Sequence, residues 1–261
     1  MLRLLSSLLL IFLFFTAPSF AMNLKERMLQ AEKGDYLVTL HDRTYTFFHI
    51  YDFTNNLFTI EEISISENEW NKQQNNWKKW LEQGAKGNQS WVLYELDQAT
   101  GEIIEYYSFT RKGWIDIHRQ ENFLPLLLNI NFQKVPDEKR QKIGIEPEGG
   151  PDMRRNWQPP LIFEGKKIRS ANFDAWVARW PKDDSLLSGK EVQIYLPVGN
   201  ELIPAYYPYW LQISNDVGKA HIRVVDTGKG AHSPQEDLPR RSPEFTADPT
   251  YQGGKLVLSF K

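Results

Sequence analysis

Short segments in which apolar and polar residues alternate dominate the chain, and turn residues separate most of them. Three such segments follow one another early, at 36–41, 44–53 and 57–66, and they are rich in aromatic and β-branched side chains. Asp42-Arg43 and residues 54–56 separate them as tight turns. A period of two with short polar connections predicts antiparallel strands joined as a meander.

One segment has helical spacing instead. Ser66 followed by Glu69 is the pattern of a capping box, which predicts that a helix begins at residue 67. The helix is expected over 67–83, because bulky apolar residues recur on one face while Asn, Gln and Lys fill the other. Those apolar residues are Trp70, Trp77, Trp80 and Leu81. We expect this amphipathic cover helix to lie on the preceding sheet.

The rest of the chain predicts further strands and two shorter helical segments. A turn at 98–101 joins two strands, and two later hairpins show the same period of two. Strands are predicted at 90–97, 102–111, 173–180, 190–197, 209–214, 219–226 and 255–260. Helical segments are predicted at about 23–33 and 134–142.

A loop rich in Pro and Gly at 144–160 marks the expected division of the chain. It separates an N-terminal β half, 22–143, from a C-terminal β half, 161–261, which is expected to complete one domain with the first. The predicted fold class is α+β and mainly antiparallel β. We expect a strongly curved, half-barrel-like sheet with a few covering helices.

The first 21 residues have the three parts of a cleavable secretory signal. Arg3 gives a positive start, residues 4–15 form an apolar run, and Ser19-Phe20-Ala21 places small residues before a cut after Ala21. The alternative, an uncleaved membrane anchor, needs about 20 apolar residues, and this run has twelve. The sequence therefore predicts export to the periplasm, the outer-membrane surface or the exterior of a Gram-negative-type bacterium, with no transmembrane segment after cleavage.

Composition narrows the classes of partner and chemistry. Loss of Arg3 with the signal would change the formal net charge from −2 to −3, which argues against a nucleic-acid partner. The chain has no Cys, so neither disulfides nor thiolate chemistry is available. No cofactor is expected.

No sequence motif is diagnostic of catalysis or of a metal site. His41 and His49 lie on neighbouring predicted strands, but HExxH and GxSxG motifs are absent. The candidate carboxylate pairs Glu61-Glu62, Glu102/Glu105 and Asp183-Asp184 are interpreted as solvated or turn residues. A hydrolase that uses carboxylates or these histidines is kept as a remote alternative, and the protein is expected not to be an enzyme.

Aromatic residues are unusually abundant and lie on both faces of the early strands. The chain has 9 Trp, 11 Tyr and 15 Phe. A sheet with one face in water should alternate apolar and polar positions, so both faces are expected to be covered, one of them by a bound lipid or other apolar guest. A core filled by the protein itself is the alternative. The predicted ligand-binding residues are Phe47, Tyr51, Trp91, Leu93, Tyr107, Phe109 and Arg111, with Lys112 beside Arg111 at the strand end.

A second function remains open from the sequence. The aromatic cluster 206–210 lies beside a turn, and the segments 144–160 and 228–254 are rich in Gly, Pro and charge. These features would suit an interaction or scaffold module that docks on another envelope protein.

Two resemblances accompany this interpretation. The order of elements resembles the LolA/LppX-like half-barrel carriers of the bacterial envelope, which implies a curved sheet around an apolar cavity. The phrases Trp180-Pro181-Lys182-Asp183, Tyr195-Leu196-Pro197, Pro208-Tyr209-Trp210-Leu211 and 222–228 resemble uncharacterised exported proteins of chlamydia-type bacteria. Neither resemblance assigns a role to any residue of this chain.

Overall fold

The computed structural model describes residues 21–73, 76–115, 123–199, 202–215 and 218–235. The predicted signal up to residue 20, most of the segment 228–254 and the predicted strand 255–260 lie outside these ranges. The strands are β1 Ala21–Met22, β2 Tyr36–His41, β3 Thr44–Thr54, β4 Leu57–Ser66, β5 Ser90–Asp97, β6 Ile103–Ser108, β7 Gly113–Trp114, β8 Phe132–Lys134, β9 Leu161–Phe163, β10 Lys166–Ile168, β11 Asn172–Arg179, β12 Glu191–Val198, β13 Trp210–Asn215 and β14 Gly218–Gly228.

These strands form one sheet in the order β1-β8-β11-β12-β13-β14-β2-β3-β4-β5-β6-β7. The pairs along this order are antiparallel, and β9 adds a short parallel contact with β14. The sheet is not closed, since β1 and β7 end the order. The predicted fold class, a mainly antiparallel curved sheet with a few helices, is confirmed.

The two faces of the sheet carry two separate clusters of buried apolar side chains. On the inner face, residues such as Leu37 and Tyr94 pack in one core with residues of β12 and β13, such as Ile194 and Leu211. Because strands from opposite parts of the sheet meet in this core, the sheet must curve around it. The outer face carries the second cluster, which includes Val38.

Four helices occur in the described part of the chain: α1 Leu24–Met28, α2 Glu67–Trp70, α3 Trp77–Glu82 and α4 Phe123–Asn129. α1 and α4 contribute to the inner core, and α3 covers the outer face. The prediction of one helix over 67–83 is wrong, although its beginning is confirmed, since the Ser66 side chain accepts a hydrogen bond from the Glu69 amide. The prediction of a helix over 134–142 is also wrong. That region has the end of β8 and a 3-10 turn, Asp137–Lys139.

Within the described ranges, no helix combines the length and the apolar character needed to cross a membrane.

Candidate functional site

The candidate site lies on the inner face and is centred on Glu62 of β4. Residues directly opposite one another in a sheet project from the same face, so the row Leu37, Phe48, Glu62 and Val92 lies on one side. Glu61, its neighbour in sequence, projects from the other side. Glu62 is thus the acidic member of an otherwise apolar row that faces the core.

Aromatic rings surround this carboxyl. Phe48 lies opposite Glu62, and its ring stacks on that of Tyr207, with 5.8 Å between centroids. Tyr94 and Tyr106 are opposite each other on β5 and β6, and their rings are nearly parallel at 6.0 Å. We call Phe48, Glu62, Tyr94, Tyr106 and Tyr207 the Glu62 recess.

The electrostatics of Glu62 are those of a group shielded from water. Burial raises the pKa of its carboxyl to about 7, and the interacting Tyr94 hydroxyl opposes part of that rise. The accessible surface of Glu62 as a whole residue is nevertheless intermediate, so the residue is only half-buried. Glu62 therefore lies at the edge of the inner core, where its carboxyl is desolvated although the residue keeps some accessible surface.

The tyrosines around Glu62 respond to the same environment. Burial, and after it the negative charge of Glu62, raises the pKa of Tyr94, Tyr106 and Tyr207. The Tyr94 hydroxyl is buried and has no hydrogen bond of good geometry among the described residues. The Glu62 carboxyl is the polar group with which this hydroxyl interacts, and a buried hydroxyl held in poor hydrogen-bond geometry costs free energy.

A second polar cluster lies on the outer face around Glu61. Its carboxylate accepts hydrogen bonds from the Trp91 indole at 2.8 Å and from the Ser233 hydroxyl at 2.7 Å. Nδ1 of His49 lies 2.9 Å from the same carboxyl, and Nε2 of His49 lies 3.1 Å from the Ala231 carbonyl. The interpretation of Glu61 as a solvated or turn residue is therefore wrong.

This outer cluster is not arranged as a hydrolytic site. Both ring nitrogens of His49 are engaged, and Ser233 bonds to Glu61 rather than to the histidine. His41 lies opposite Thr44 at the far end of the hairpin, whereas His49 lies opposite Tyr36, so the two histidines do not converge. In the described ranges, no three side chains among His, Asp and Glu are grouped so that they could hold a metal ion.

Most of the predicted ligand-binding residues lie on the outer face. Phe47 has no exposed surface and contacts the rings of Tyr36 and Trp80, which leaves it no surface to offer a ligand. Leu93 and Tyr107 continue the row of His49 and Glu61. Trp91 and Phe109 pack against each other at 5.7 Å.

The two remaining predicted ligand-binding residues lie at the margins of this face. The Tyr51 hydroxyl donates to the Gln235 carbonyl at 2.7 Å. Arg111 is exposed in the turn after β6, and its positive charge acts on Tyr106, one wall of the Glu62 recess.

The predicted cover residues do lie together over the outer face. Trp70 of α2 stacks on Trp77 of α3, and Trp80 meets both rings edge-on. Leu81 is fully buried in the same cluster. Since α2 and α3 are separate helices, stacking rather than one continuous helix keeps this stripe together.

The prediction of an aromatic surface patch at 206–210 is wrong. Tyr206, Tyr207 and Tyr209 are buried, and the Tyr209 hydroxyl donates to the Pro204 carbonyl at 2.8 Å. The segment instead brings Tyr207 to the Glu62 recess. Loop 144–160 does expose apolar side chains, since Ile145 is 95% and Met153 is 86% accessible.

Sequence reasoning missed the inner-face site. Phe48 lies on β3, Glu62 on β4, and Tyr207 in the connection between β12 and β13. Only curvature of the sheet brings Tyr207 to the other two. The available signal was the position of Glu61 and Glu62 within an apolar strand. Alternation alone places one carboxylate on each covered face of such a strand.

Comparison with known proteins gives a similarity of sequence and of fold. Residues 46–169 match the model of the CT021 protein family. The solved structure of the hypothetical protein CT021 from Chlamydia trachomatis aligns with a TM-score of 0.61 and 20% identity, over 85% of this chain and 100% of that chain. At that identity the structural likeness shows the fold alone. No curated protein matches the chain. The chain is therefore similar to an uncharacterised chlamydial-type protein.

Proposed function

We propose that the protein is a non-catalytic binding protein of the bacterial envelope, which holds an apolar or amphiphilic small molecule on the inner face of its curved sheet. The observation that carries the proposal is the Glu62 recess. It combines aromatic walls, the desolvated carboxyl of the half-buried Glu62, and the buried Tyr94 hydroxyl, which interacts with that carboxyl without a hydrogen bond of good geometry. Ligand pockets are usually apolar with a few such polar groups.

The proposed site differs from the one expected from the sequence. Phe47 and Trp91 pack under α3 on the outer face, where protein side chains already fill the space. Phe48 and Tyr106 on the inner face are half-buried, so they retain surface that a ligand would cover. The resemblance to LolA/LppX-like carriers supports binding of an apolar molecule inside the curved sheet, by analogy of architecture.

Extraction of the purified protein, followed by mass spectrometry of the organic phase, tests the proposal directly. We expect a stoichiometric apolar or amphiphilic molecule, and we expect the stripped protein to take up a fluorescent fatty acid or an apolar dye.

Phe48→Ala should weaken uptake about tenfold, since a ring wall of the recess is lost. Phe109→Ala, a half-buried ring on the outer face, is the control and should leave uptake unchanged. A protein that yields no extractable molecule and takes up no dye would refute the proposal.

Export is part of the proposal and has its own test. The pattern of residues 1–21 supports cleavage after Ala21. N-terminal sequencing of the protein recovered from an envelope fraction should begin at Met22. Recovery of the protein with residues 1–21 intact in the cytosol would contradict export and leave ligand binding to be judged separately.

The exposed loop 144–160 supports a second candidate function, docking on another envelope protein. Ile145 and Met153 stand out on a loop that the Arg154–Asp152 ion pair, at 2.9 Å, helps to brace. Photo-crosslinking from position 145 should capture one defined envelope protein if this candidate is correct. The same probe placed at the exposed Leu186 gives the background for non-specific capture.

A further inference from the structure

Among the described residues, Glu62 has aromatic rings around it but no positively charged partner. None of the ion pairs formed by the described residues includes Glu62. Among the described residues, no Lys, Arg or His acts on its carboxyl, and its titratable neighbours are Tyr94 of β5, Tyr106 of β6 and Tyr207 of the β12–β13 connection. The nearest approach of a positive charge to the recess that these groups record is that of Arg111, which acts on Tyr106 rather than on Glu62. A buried carboxylate needs a counter-charge to ionise without a large cost.

The rings around Glu62 suit one kind of cation better than others. Phe48, Tyr94, Tyr106 and Tyr207 present aromatic surfaces, which attract cations through the negative face of the ring. A primary ammonium group also needs several hydrogen-bond acceptors for its N–H groups. The recess offers one carboxyl and tyrosine hydroxyls, so it favours a cation that carries alkyl groups in place of N–H donors.

The buried Tyr94 hydroxyl, which interacts with Glu62 without a hydrogen bond of good geometry, is the second observation that points to a ligand. Tyr94 is 2% exposed, and its hydroxyl lies near Glu62 without a hydrogen bond of good geometry. When a cation enters and Glu62 ionises, the carboxylate becomes a stronger acceptor for the Tyr94 O–H. Ligand binding would thus satisfy both polar groups of the recess.

We infer that the Glu62 recess binds an alkylated ammonium group of an amphiphilic ligand, with Glu62 as the counter-charge and the four rings as its walls. This inference rests on the proposed function and names the class of ligand. The apolar part of the ligand lies along the inner face, beside residues such as Val92 and Ile60.

Three probes with the same chain length separate the contributions of charge and apolar surface. Octyltrimethylammonium, octanol and octanoate are titrated into the purified protein at pH 8, where Glu62 is ionised, and binding is followed by calorimetry. The cation should bind about 10-fold or more tightly than octanol, and octanoate should bind most weakly. Binding of octyltrimethylammonium should also release protons near pH 7, since the cation favours the ionised form of Glu62.

Matched variants identify the group responsible. Glu62→Gln should reduce the affinity for the cation to about that for octanol. Glu95→Gln is the control, because Glu95 is a half-buried acid of the neighbouring strand that projects from the outer face. It should leave the preference for the cation intact. Tyr207→Leu should weaken cation binding about 5-fold with little effect on octanol.

The outcomes distinguish failure of this inference from failure of the proposed function. If octanol and octanoate bind as tightly as the cation, or if Glu62→Gln leaves cation affinity unchanged, the assignment of the ligand class is wrong while apolar binding stands. If none of the three probes binds and extraction yields no ligand, the proposed function itself fails.

Discussion

Nδ1 of His49 lies 2.9 Å from a carboxylate oxygen of Glu61, and both side chains are almost completely removed from solvent. Nε2 of His49 faces the Ala231 carbonyl, which can only accept, so this nitrogen carries a proton. The contact between Nδ1 and the carboxyl is a buried hydrogen bond between the two side chains. The pair ties β3 to β4 and to the segment that follows β14.

The consequence for stability depends on whether the hydrogen bonds of Glu61 are reproduced. Glu61→Ala leaves the Trp91 indole and His49 without their acceptor, and we expect a loss of about 3–5 kcal/mol in the free energy of unfolding. Glu61→Gln keeps an oxygen for Trp91 and Ser233 and offers an N–H to neutral His49, so its loss should be only about 1 kcal/mol. Urea unfolding of both variants measures the difference. Equal losses for the two variants would show that the negative charge itself is required.

The register of the β3–β4 hairpin shows how far the sequence could predict this pair. Asn55 and Asn56 have positive φ, which is typical of a tight hairpin turn, and the turn pairs Thr54 with Leu57. Unbroken pairing from that turn would place His49 opposite Glu62. A bulge between Ile50 and Asp52 shifts the register by one residue and places His49 opposite Glu61 instead. Local sequence predicted the turn, but the bulge depends on packing from the rest of the fold.

The split of the predicted helix 67–83 has a local cause. α2 ends at Trp70, and the next helix, α3, begins after Asn76. Asn76 is the N-cap of α3, since its side chain accepts a hydrogen bond from the Lys79 amide. Asparagine is a poor helix former and a good N-cap, so this break could have been predicted.

The hairpins β11–β12 and β13–β14 were predicted correctly because clear alternation and polar turns specify them. The Glu62 recess could not be predicted, since it needs the curvature that brings Tyr207 to β4.

The stack of tryptophans predicts unequal costs of truncation. Trp80 is 1% exposed, contacts Phe47 and donates its indole N–H to the Lys86 carbonyl at 3.0 Å. Trp80→Ala should therefore lower the free energy of unfolding by about 3–5 kcal/mol. Trp70 is half-buried, stacks on Trp77 and meets the ring of Tyr45 on β3 edge-on, so Trp70→Ala should cost about 1–2 kcal/mol. Thermal and urea unfolding compare the two.

The tryptophan variants also separate packing from a role as a lid. Trp70→Ala should leave the uptake of an apolar dye unchanged, because the proposed ligand site lies on the opposite face of the sheet. A change in uptake rate without a change in stability would contradict that placement and favour a site beneath α2 and α3.

Gly34 supports the segment that closes over His49 and Glu61. Its amide donates to Ile50 and its carbonyl accepts from the Ala231 amide, both at 2.9 Å. Its φ is +88°, and a Cβ there would lie 3.1 Å from the backbone of Gly230. Gly34→Ala should thus combine backbone strain with a close contact, at a cost of about 2–4 kcal/mol.

Gly84 is the matched control for Gly34→Ala. It has a φ of +85°, but a Cβ there would meet nothing within 4 Å. Gly84→Ala should cost only the strain, about 1–2 kcal/mol. Urea unfolding gives both values. If the two substitutions cost the same, the close approach of Gly34 to Gly230 contributes nothing to stability.

Glu62 predicts a dependence of stability on pH that its removal should abolish. Burial raises its pKa in the folded protein to about 7 from an ordinary value of 4.5. A carboxyl whose pKa is higher in the folded state contributes stability that is fully present below about pH 4.5 and is lost as the pH rises through 7. The wild-type protein should therefore lose about 2–3 kcal/mol relative to Glu62→Gln between pH 4.5 and pH 8.

The comparison with Glu62→Gln is needed because other groups titrate in the same range. Burial also raises the pKa of Asp35 and of Asp226 to about 6, so the wild-type profile contains their contributions too. Those contributions cancel in the difference between wild type and variant. Glu102→Gln, at an exposed turn position, should give a profile that follows the wild type. If the wild-type and Glu62→Gln curves stay parallel from pH 4.5 to 8, Glu62 is not desolvated in the folded protein. The recess would then be open to water, and its carboxyl would need no cation from a ligand.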